Sequence, residues 1–267
     1  MNGTVTFSRF WLSLWTSMVV AFVTTPLLFV VLVSLTPLNH ISLPADGISL
    51  RWYARLAENG QLLVAARNSL LLAFGAAATA LLVGTAAAVA SVRWRFTLLQ
   101  PLRLFAMSPL LVPMVMSGLA ILVFSSATGW QNQILRTYLA HAALTLPYVF
   151  RTVTASLSGV DTNQELAARN LGASPLKSFF LITLPQLGPG LAAGGLFAFI
   201  VSFDNVGMSI FLTGAQFKTL PVELFAYASY SSDPMVAAAS VAMLAVSILA
   251  IGAVERFAGL ERLMRTS

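Results

Sequence analysis

Six long runs of apolar residues alternate with short polar stretches along this chain. Each run holds about 20 residues or more, the length that a helix needs to cross a bilayer. None has the short length and strict alternation of a barrel strand, so the pattern predicts helices. We therefore expect an all-α membrane protein with six transmembrane helices, at about residues 11–35, 64–90, 101–124, 134–157, 188–212 and 235–254.

The composition agrees with a membrane domain. Of the 267 residues, 58% are hydrophobic and 9% are charged, and the mean hydropathy is +0.84. Soluble domains carry about 25% charged residues. The predicted helices and their loops account for residues 1–267, so we expect one transmembrane domain and no soluble catalytic domain. The first run is too long for the apolar core of a signal peptide, and we interpret it as a retained helix.

The basic residues predict the orientation, because cytoplasmic loops carry an excess of Lys and Arg. With six spans both termini lie on one side, and that side holds the larger share of the basic residues. They are Arg9, Arg93, Arg95, Arg103, Arg151, Arg169, Lys177, Arg256, Arg262 and Arg265, against Arg51, Arg55, Arg67, Arg136 and Lys218 on the other side. Both termini are therefore predicted to be cytoplasmic. Anchoring explains the net charge of +6, and no nucleic acid is needed as a partner.

Several kinds of chemistry have no support in the sequence. The chain has no cysteine and only two histidines, far apart, so we expect no metal site. It has no G-x-x-x-x-G-K-[ST] motif and no nucleophile motif, so it is not expected to hydrolyse ATP or to be an enzyme. A stand-alone secondary carrier is a less favoured alternative, since such carriers usually hold several intramembrane ionisable groups and internal repeats.

An unusual polar segment, QELAARNLGASPLKSFFLITLP, joins the fourth and fifth runs on the predicted cytoplasmic side. Thr162 and Glu165 have the spacing of a capping box, and Gly172 predicts a helix C-cap. Ser174 followed by proline predicts a second N-terminus, and Pro185 is expected to end that piece. Two short helices with a sharp bend could dock into a partner or lie on the lipid surface, and the spacing leaves both open.

This segment resembles the EAA motif of permease subunits from binding-protein-dependent ABC importers. The motif reads Glu-Ala-Ala, three residues, Gly, nine residues, Ile, one residue, Leu-Pro, and the spacing is matched throughout. The departure is Leu166, which stands at the position of the motif glutamate, with Glu165 one residue earlier. The resemblance implies an ATPase-coupling loop at about residues 160–186, with the residues Glu165, Leu166, Ala167, Ala168, Arg169, Gly172, Ala173, Ser174, Ile182, Leu184 and Pro185.

The resemblance covers nearly the whole chain and is strongest to the second, shorter permease subunit of the spermidine/putrescine branch. It is carried by ISLRWYARL, NSL, HAALTLPYVFRTV, SFDNVGMSIFLTG and TLPVELFAY. It implies the six-helix type I ABC importer permease (MetI-like) fold in a bacterial inner membrane. The implied partners are a cytoplasmic ABC ATPase dimer, a second homologous permease, an extracytoplasmic substrate-binding protein and the lipid bilayer. No cofactor is expected in this chain, because ATP and Mg would be bound by the ATPase.

Asp204 is the one carboxylate well inside a predicted span. An ionised Asp in a lone membrane helix costs about 2.5–3.5 kcal/mol on insertion scales, so it normally faces a cavity or a partner. We therefore place Asp204, with Asn205, in the candidate translocation path. The alternatives for Asp204 are a pair with a donor on a neighbouring helix and a position near the outer interface. A polyamine or related small amine is the expected substrate. Aminoethylphosphonate, an opine-like compound and ferric ion are the alternatives within the same importer class.

Overall fold

The structure is a computed structural model that describes residues 2–44, 46–93 and 99–258. Within these ranges the regular structure is helical, which confirms the predicted all-α class, and the one isolated bridge joins Gly214 and Phe217. The helices are α1 Asn2–Ser34, α2 Arg51–Glu58, α3 Gly60–Arg93, α4 Leu99–Met107, α5 Met114–Thr128, α6 Gln133–Ser158, α7 Thr162–Asn170, α8 Pro175–Ser178, α9 Leu184–Gln186, α10 Gly188–Phe203, α11 Ser209–Leu212, α12 Leu220–Tyr230 and α13 Met235–Ala258. Of the basic residues used to predict the orientation, Arg95, Arg262 and Arg265 lie outside the described residues.

Some of the described helices could cross a membrane on their own, and others could not. Three stretches are long and apolar enough to cross a bilayer alone: Trp11–Ser34, Gly60–Arg93 and Met235–Arg256. Two bent pairs would each make one further span, which gives up to five. The fourth predicted span coincides with α6, which is long enough but less apolar. Many of its residues are buried, and a helix surrounded by protein can carry polar side chains that lipid would not tolerate.

The third predicted span is bent rather than straight. Arg103–Leu110 and Met114–Thr128 meet at 106°. Pro109 lies in a 3₁₀ turn, and Pro113 is the N-cap of α5. A proline lacks the N–H that would continue the preceding helix and disfavours helical geometry in the residue before it. The two prolines therefore account for the kink.

The fifth predicted span, 188–212, was expected to be one continuous helix, and this expectation is wrong. α10 ends at Phe203, and regular helix resumes only with the short α11. The side-chain oxygen of Asn205 accepts hydrogen bonds from the backbone N–H groups of Met208 and Ser209, at 3.0 and 3.3 Å. These bonds stabilise the turn that leads into α11 and so compete with continuation of α10.

The chain divides into two compact units, and within each unit the helices pack against one another. The first comprises residues 1–63 and 226–245. In it, Trp52 of α2 is buried, and its indole N–H donates to the carbonyl of Thr36 at 3.0 Å. The hydroxyls of Ser34 and Tyr53 lie 2.7 Å apart. These bonds fix α2 against the end of α1.

The second unit comprises residues 64–225 and 246–267, and α6 packing on α10 forms its centre. Gly190 and Gly194 lie where the two helices meet. A Cβ on Gly194 would stand 2.4 Å from the side-chain oxygen of Thr152 and 3.0 Å from the Cα of Val149. The G-x-x-x-G pair therefore permits close helix contact, as such pairs do in other membrane proteins.

Candidate coupling loop and broken helix

The loop between α6 and α10 folds into the two short helical pieces that its sequence predicts, with a different first cap. Asp161 is the N-cap of α7, and its carboxylate accepts from the N–H of Asn163 at 2.9 Å. Thr162 is already the first helical residue. The expected capping box of Thr162 and Glu165 is therefore wrong. Asp161 lies one residue earlier and is a stronger N-cap residue than threonine, and its use leaves the carboxylate of Glu165 free for other partners.

The bend after α7 is a Schellman motif centred on Gly172. Gly172 has φ +91°, a left-handed conformation that glycine adopts without a Cβ penalty. Its N–H donates to the carbonyl of Arg169, and the N–H of Ala173 donates to the carbonyl of Ala168, both at 3.0 Å. This pair of bonds defines the motif. The predicted role of Gly172 as a C-cap residue is confirmed.

The second piece begins at Ser174, whose hydroxyl accepts from the N–H of Lys177 at 3.3 Å. The sequence predicted that Pro185 ends this piece, and this prediction is wrong. The helix continues through a π turn at Phe179–Thr183 into α9. The wider turn relieves the clash that a proline ring makes with the preceding turn. The real break comes at Leu187, where Pro175–Gln186 and Gly188–Phe203 meet at 68°.

The loop exposes large apolar side chains. Leu171 is 90% exposed, Leu176 71% and Leu166 52%. Of the residues that the motif identifies, the exposed ones are Leu166, Ala167, Arg169, Gly172, Ser174 and Pro185, and the partly buried ones are Glu165, Ala168, Ala173, Ile182 and Leu184. Apolar side chains this exposed beside a sharp, hydrogen-bonded bend are typical of a surface that a partner covers.

Glu165 faces inward, toward the end of α3. Its carboxylate accepts hydrogen bonds from the guanidinium of Arg93 and from the hydroxyl of Thr183. Burial alone would raise the pKa of Glu165, but these two hydrogen bonds and the positive charges of Arg93 and Arg169 outweigh burial and hold the pKa below its ordinary value. The carboxylate is therefore ionised at neutral pH and committed to contacts within the chain.

Asp204 lies at the C-cap of α10, where the fifth predicted span breaks. Its backbone N–H donates to the carbonyl of Ile200 at 3.0 Å. The residue is exposed, and within the described ranges its carboxylate has no hydrogen-bond or ion-pair partner. Of the two alternatives for Asp204, a pair with a neighbouring helix finds no support among these residues, and a position near the outer interface stays a prediction. The carboxylate thus remains open to a ligand or to another subunit.

A buried polar network includes Ser202 and Asn205, the residues on either side of Asp204 in this stretch of the chain. His141 of α6 is completely buried, and its two ring nitrogens lie 2.8 Å from the hydroxyl of Ser202 and 2.9 Å from that of Ser209. Asn205 is also buried, and its amide nitrogen lies 3.3 Å from the sulfur of Met114. Asn205 therefore shapes the break through internal bonds, whereas Asp204 beside it is exposed.

Sequence reasoning missed two residues of this site, Arg93 and Thr183. Arg93 was counted only as a basic residue on the predicted cytoplasmic side, and Thr183 occupies an unspecified position of the EAA motif. The one available signal was position, because an arginine at the end of a predicted span can reach the next cytoplasmic loop. Neither the bend angle nor the π turn could be read from local spacing.

Comparison with known proteins agrees with this arrangement. The family described as binding-protein-dependent transport system inner membrane component matches residues 80–259. The putrescine transport system permease protein PotI of Escherichia coli (strain K12) is 34% identical over 220 residues, which cover 80% of this chain and 78% of PotI. The spermidine/putrescine transport system permease protein PotC of Haemophilus influenzae (strain ATCC 51907 / DSM 11121 / KW20 / Rd) is 31% identical over 210 residues, covering 79% and 82%.

A solved structure agrees at the level of the fold. A chain from the crystal structure of a bacterial ABC transporter involved in the import of the acidic polysaccharide alginate superposes with a TM-score of 0.72 at 17% identity. The match covers 96% of this chain and 98% of that one. The expected MetI-like ABC permease fold is therefore confirmed.

The class of protein is thus a transmembrane permease subunit of an ABC importer. The chain belongs to the family of binding-protein-dependent transport system inner membrane components. Members of this family work with an ATPase and a substrate-binding protein. The chain is accordingly a non-catalytic membrane subunit, and a separate ATPase subunit hydrolyses ATP.

Proposed function

We propose that this chain is one permease subunit of a polyamine importer and pairs with a different, homologous permease. It would cross the bacterial inner membrane six times, with both termini in the cytoplasm. Besides the three long helices, α6, the bent pair Arg103–Leu110 and Met114–Thr128, and the broken segment 188–212 would each serve as one span. A substrate-binding protein outside and an ATPase dimer inside would complete the importer. The similarity to PotI and PotC supports the substrate class, a small polycationic amine.

The ATPase would bind the loop at residues 160–186. The structure of this loop is the single observation that supports the coupling role. The loop combines a hydrogen-bonded bend at Gly172 with apolar side chains that stand out of the protein. A rigid element of this kind couples the conformation of its partner to the conformation of the helices attached to it. A helix that only lies on lipid would not need the bend, so docking is the better of the two interpretations.

Because Leu166 replaces the motif glutamate, it would make a different contact with the ATPase from the one that a glutamate makes. Leu166 is exposed, while Glu165 is turned toward Arg93. An apolar side chain would therefore face the ATPase at this position. The ATPase groove should be apolar there, since burying an unpaired charge against leucine would be costly.

Asp204 would contribute to the path for the cationic substrate, and Asn205 would support it by holding the break open. The carboxylate is exposed at a helix break and has no protein partner among the described residues. A negative group in that position can replace part of the hydration that an ammonium loses in crossing the membrane. Asn205 would act through its hydrogen bonds to the backbone of Met208 and Ser209, where α11 begins, rather than by direct contact with substrate.

The experiment that tests this function is pull-down mass spectrometry of the chain after gentle solubilisation from its native membrane. Recovery of an ATPase, a second permease and a substrate-binding protein is the expected result. The recovered binding protein is then titrated with putrescine and spermidine, and with aminoethylphosphonate, an opine and ferric ion. Binding of one of the last three would overturn the substrate, and ATP-independent transport by the chain alone would overturn the importer.

A further inference from the structure

We propose that Arg93 and Thr183 are positioning residues of the coupling mechanism, and that with Glu165 they form a strut between α3 and the coupling loop. This inference rests on the proposed docking of that loop to an ATPase. The strut would carry the movement of the loop to a membrane helix that is remote from it in sequence.

The contacts converge on one guanidinium group. Arg93 is the last residue of α3, and its Nη2 donates to the carboxylate of Glu165 on α7. The same nitrogen lies 3.0 Å from the hydroxyl of Thr183 in the π turn, and the hydroxyl in turn donates to that carboxylate. The three polar groups thus form a closed triangle.

The surroundings favour a fixed position for this triangle. Thr183 is completely buried, and the Glu165 side chain is largely covered. The guanidinium also lies 5.3 Å from the ring centroid of Phe179, within range of a cation–π contact. Charge-assisted hydrogen bonds are roughly twice as strong as neutral ones, so partial burial here gives a stiff connection rather than a mobile surface pair.

The connection changes which helices the loop can move. Along the chain, the loop is joined only to α6 before it and to α10 after it. Arg93 adds α3 as a third helix, through side chains alone. Because Glu165 and Thr183 lie on opposite arms of the bend at Gly172, the strut also locks the two arms together. A push on the loop therefore reaches three membrane helices at once.

The test uses the whole importer in proteoliposomes and measures substrate transported per ATP hydrolysed. Arg93→Glu and Glu165→Arg should each lower this ratio about tenfold or more, the size expected when a charge-assisted hydrogen bond is lost, while ATP hydrolysis continues. The double variant Arg93→Glu/Glu165→Arg restores opposite charges and should recover most of the ratio. Thr183→Ser should keep the ratio, and Thr183→Val should lower it.

Arg151→Gln is the control for charge loss, since Arg151 is an exposed arginine on α6 outside the triangle, and it should leave the ratio unchanged. An unchanged ratio in both single charge variants, with the ATPase still bound, would overturn the strut but leave loop docking intact. Failure of the double variant to restore the ratio would also overturn it. If the wild-type chain binds no ATPase, the docking proposal fails and the strut fails with it.

Discussion

Two carboxylates of this chain, Glu165 and Asp204, have opposite surroundings. Glu165 accepts hydrogen bonds from Arg93 and Thr183 and is used within the chain. Asp204 is exposed at the end of α10 without a protein partner among the described residues. A charge that is paired internally contributes to structure, whereas an exposed charge beside a helix break is available to a ligand. Local sequence marks both as acidic but cannot tell these cases apart.

At the residue scale we predict that Asp204→Asn lowers polyamine uptake by the reconstituted importer about tenfold or more, since it removes the negative charge from the path. Stimulation of ATP hydrolysis by loaded binding protein should persist, so the variant uncouples hydrolysis from transport. The measurement is radiolabelled uptake with parallel ATP hydrolysis. Asp46→Asn, which removes an exposed carboxylate from the loop after α1, is the control. Uptake kinetics equal to wild type would remove Asp204 from the path.

At the scale of elements, helix breaks and close helix contacts define the candidate site. The bend at Gly172 shapes the candidate coupling loop, and the hydrogen bonds that Asn205 accepts stabilise the break in the fifth predicted span beside Asp204. Glycines on α10 let it approach α6, and Gly118 of α5 lies under the backbone of Met208 in the broken segment. Each feature depends on a single glycine or asparagine, so each can be tested with one substitution.

Gly172→Val should abolish transport while the protein remains in the membrane. A β-branched residue at φ +91° is strained by about 1–3 kcal/mol, which should distort the bend. The measurements are uptake and membrane content by immunoblot. Gly159→Val is the matched control in the same loop, because Gly159 is not left-handed and an added Cβ there would make only an ordinary contact at 3.6 Å. Normal uptake by Gly172→Val would contradict the coupling role of the bend.

Gly194→Val should destabilise the second unit by about 1–3 kcal/mol, because an added side chain overpacks the contact between α6 and α10. The first added carbon would already lie 2.4 Å from the side-chain oxygen of Thr152. Thermal unfolding in detergent measures the loss. Gly252→Val on α13 meets open space and should leave the unfolding temperature unchanged. Equal unfolding temperatures for the two variants would show that the close contact does not matter.

At the scale of the whole molecule, the chain is one subunit of an assembly, which explains two features of its surface. Many large apolar side chains are exposed along α1, as expected where lipid or another subunit covers a helix. The coupling loop carries exposed apolar residues among polar ones, as expected where a protein covers it. Members of the ABC importer permease family work with other subunits, so uncovered apolar surfaces are expected on a single chain.

The proposed orientation predicts that a protease-cleavable tag at the C-terminus is protected from added protease in intact spheroplasts, because both termini would be cytoplasmic. A second tag inserted after Asp46, in the loop after α1, should be cleaved and serves as the positive control. Permeabilisation should expose the C-terminal tag as well. Cleavage of the C-terminal tag before permeabilisation would overturn the proposed topology.

The sequence by itself determined the class of protein, the helical architecture and the bend at Gly172. Apolar run length, a left-handed glycine and a Ser-Pro helix start are local signals that depend on neighbouring residues. The tertiary structure decided the use of each polar group. It turned Glu165 toward Arg93, buried His141 between two serines and broke the predicted span beside Asp204. These outcomes depend on side chains that lie 60 or more residues apart, or on a cap competing with a helix, and local periodicity contains neither.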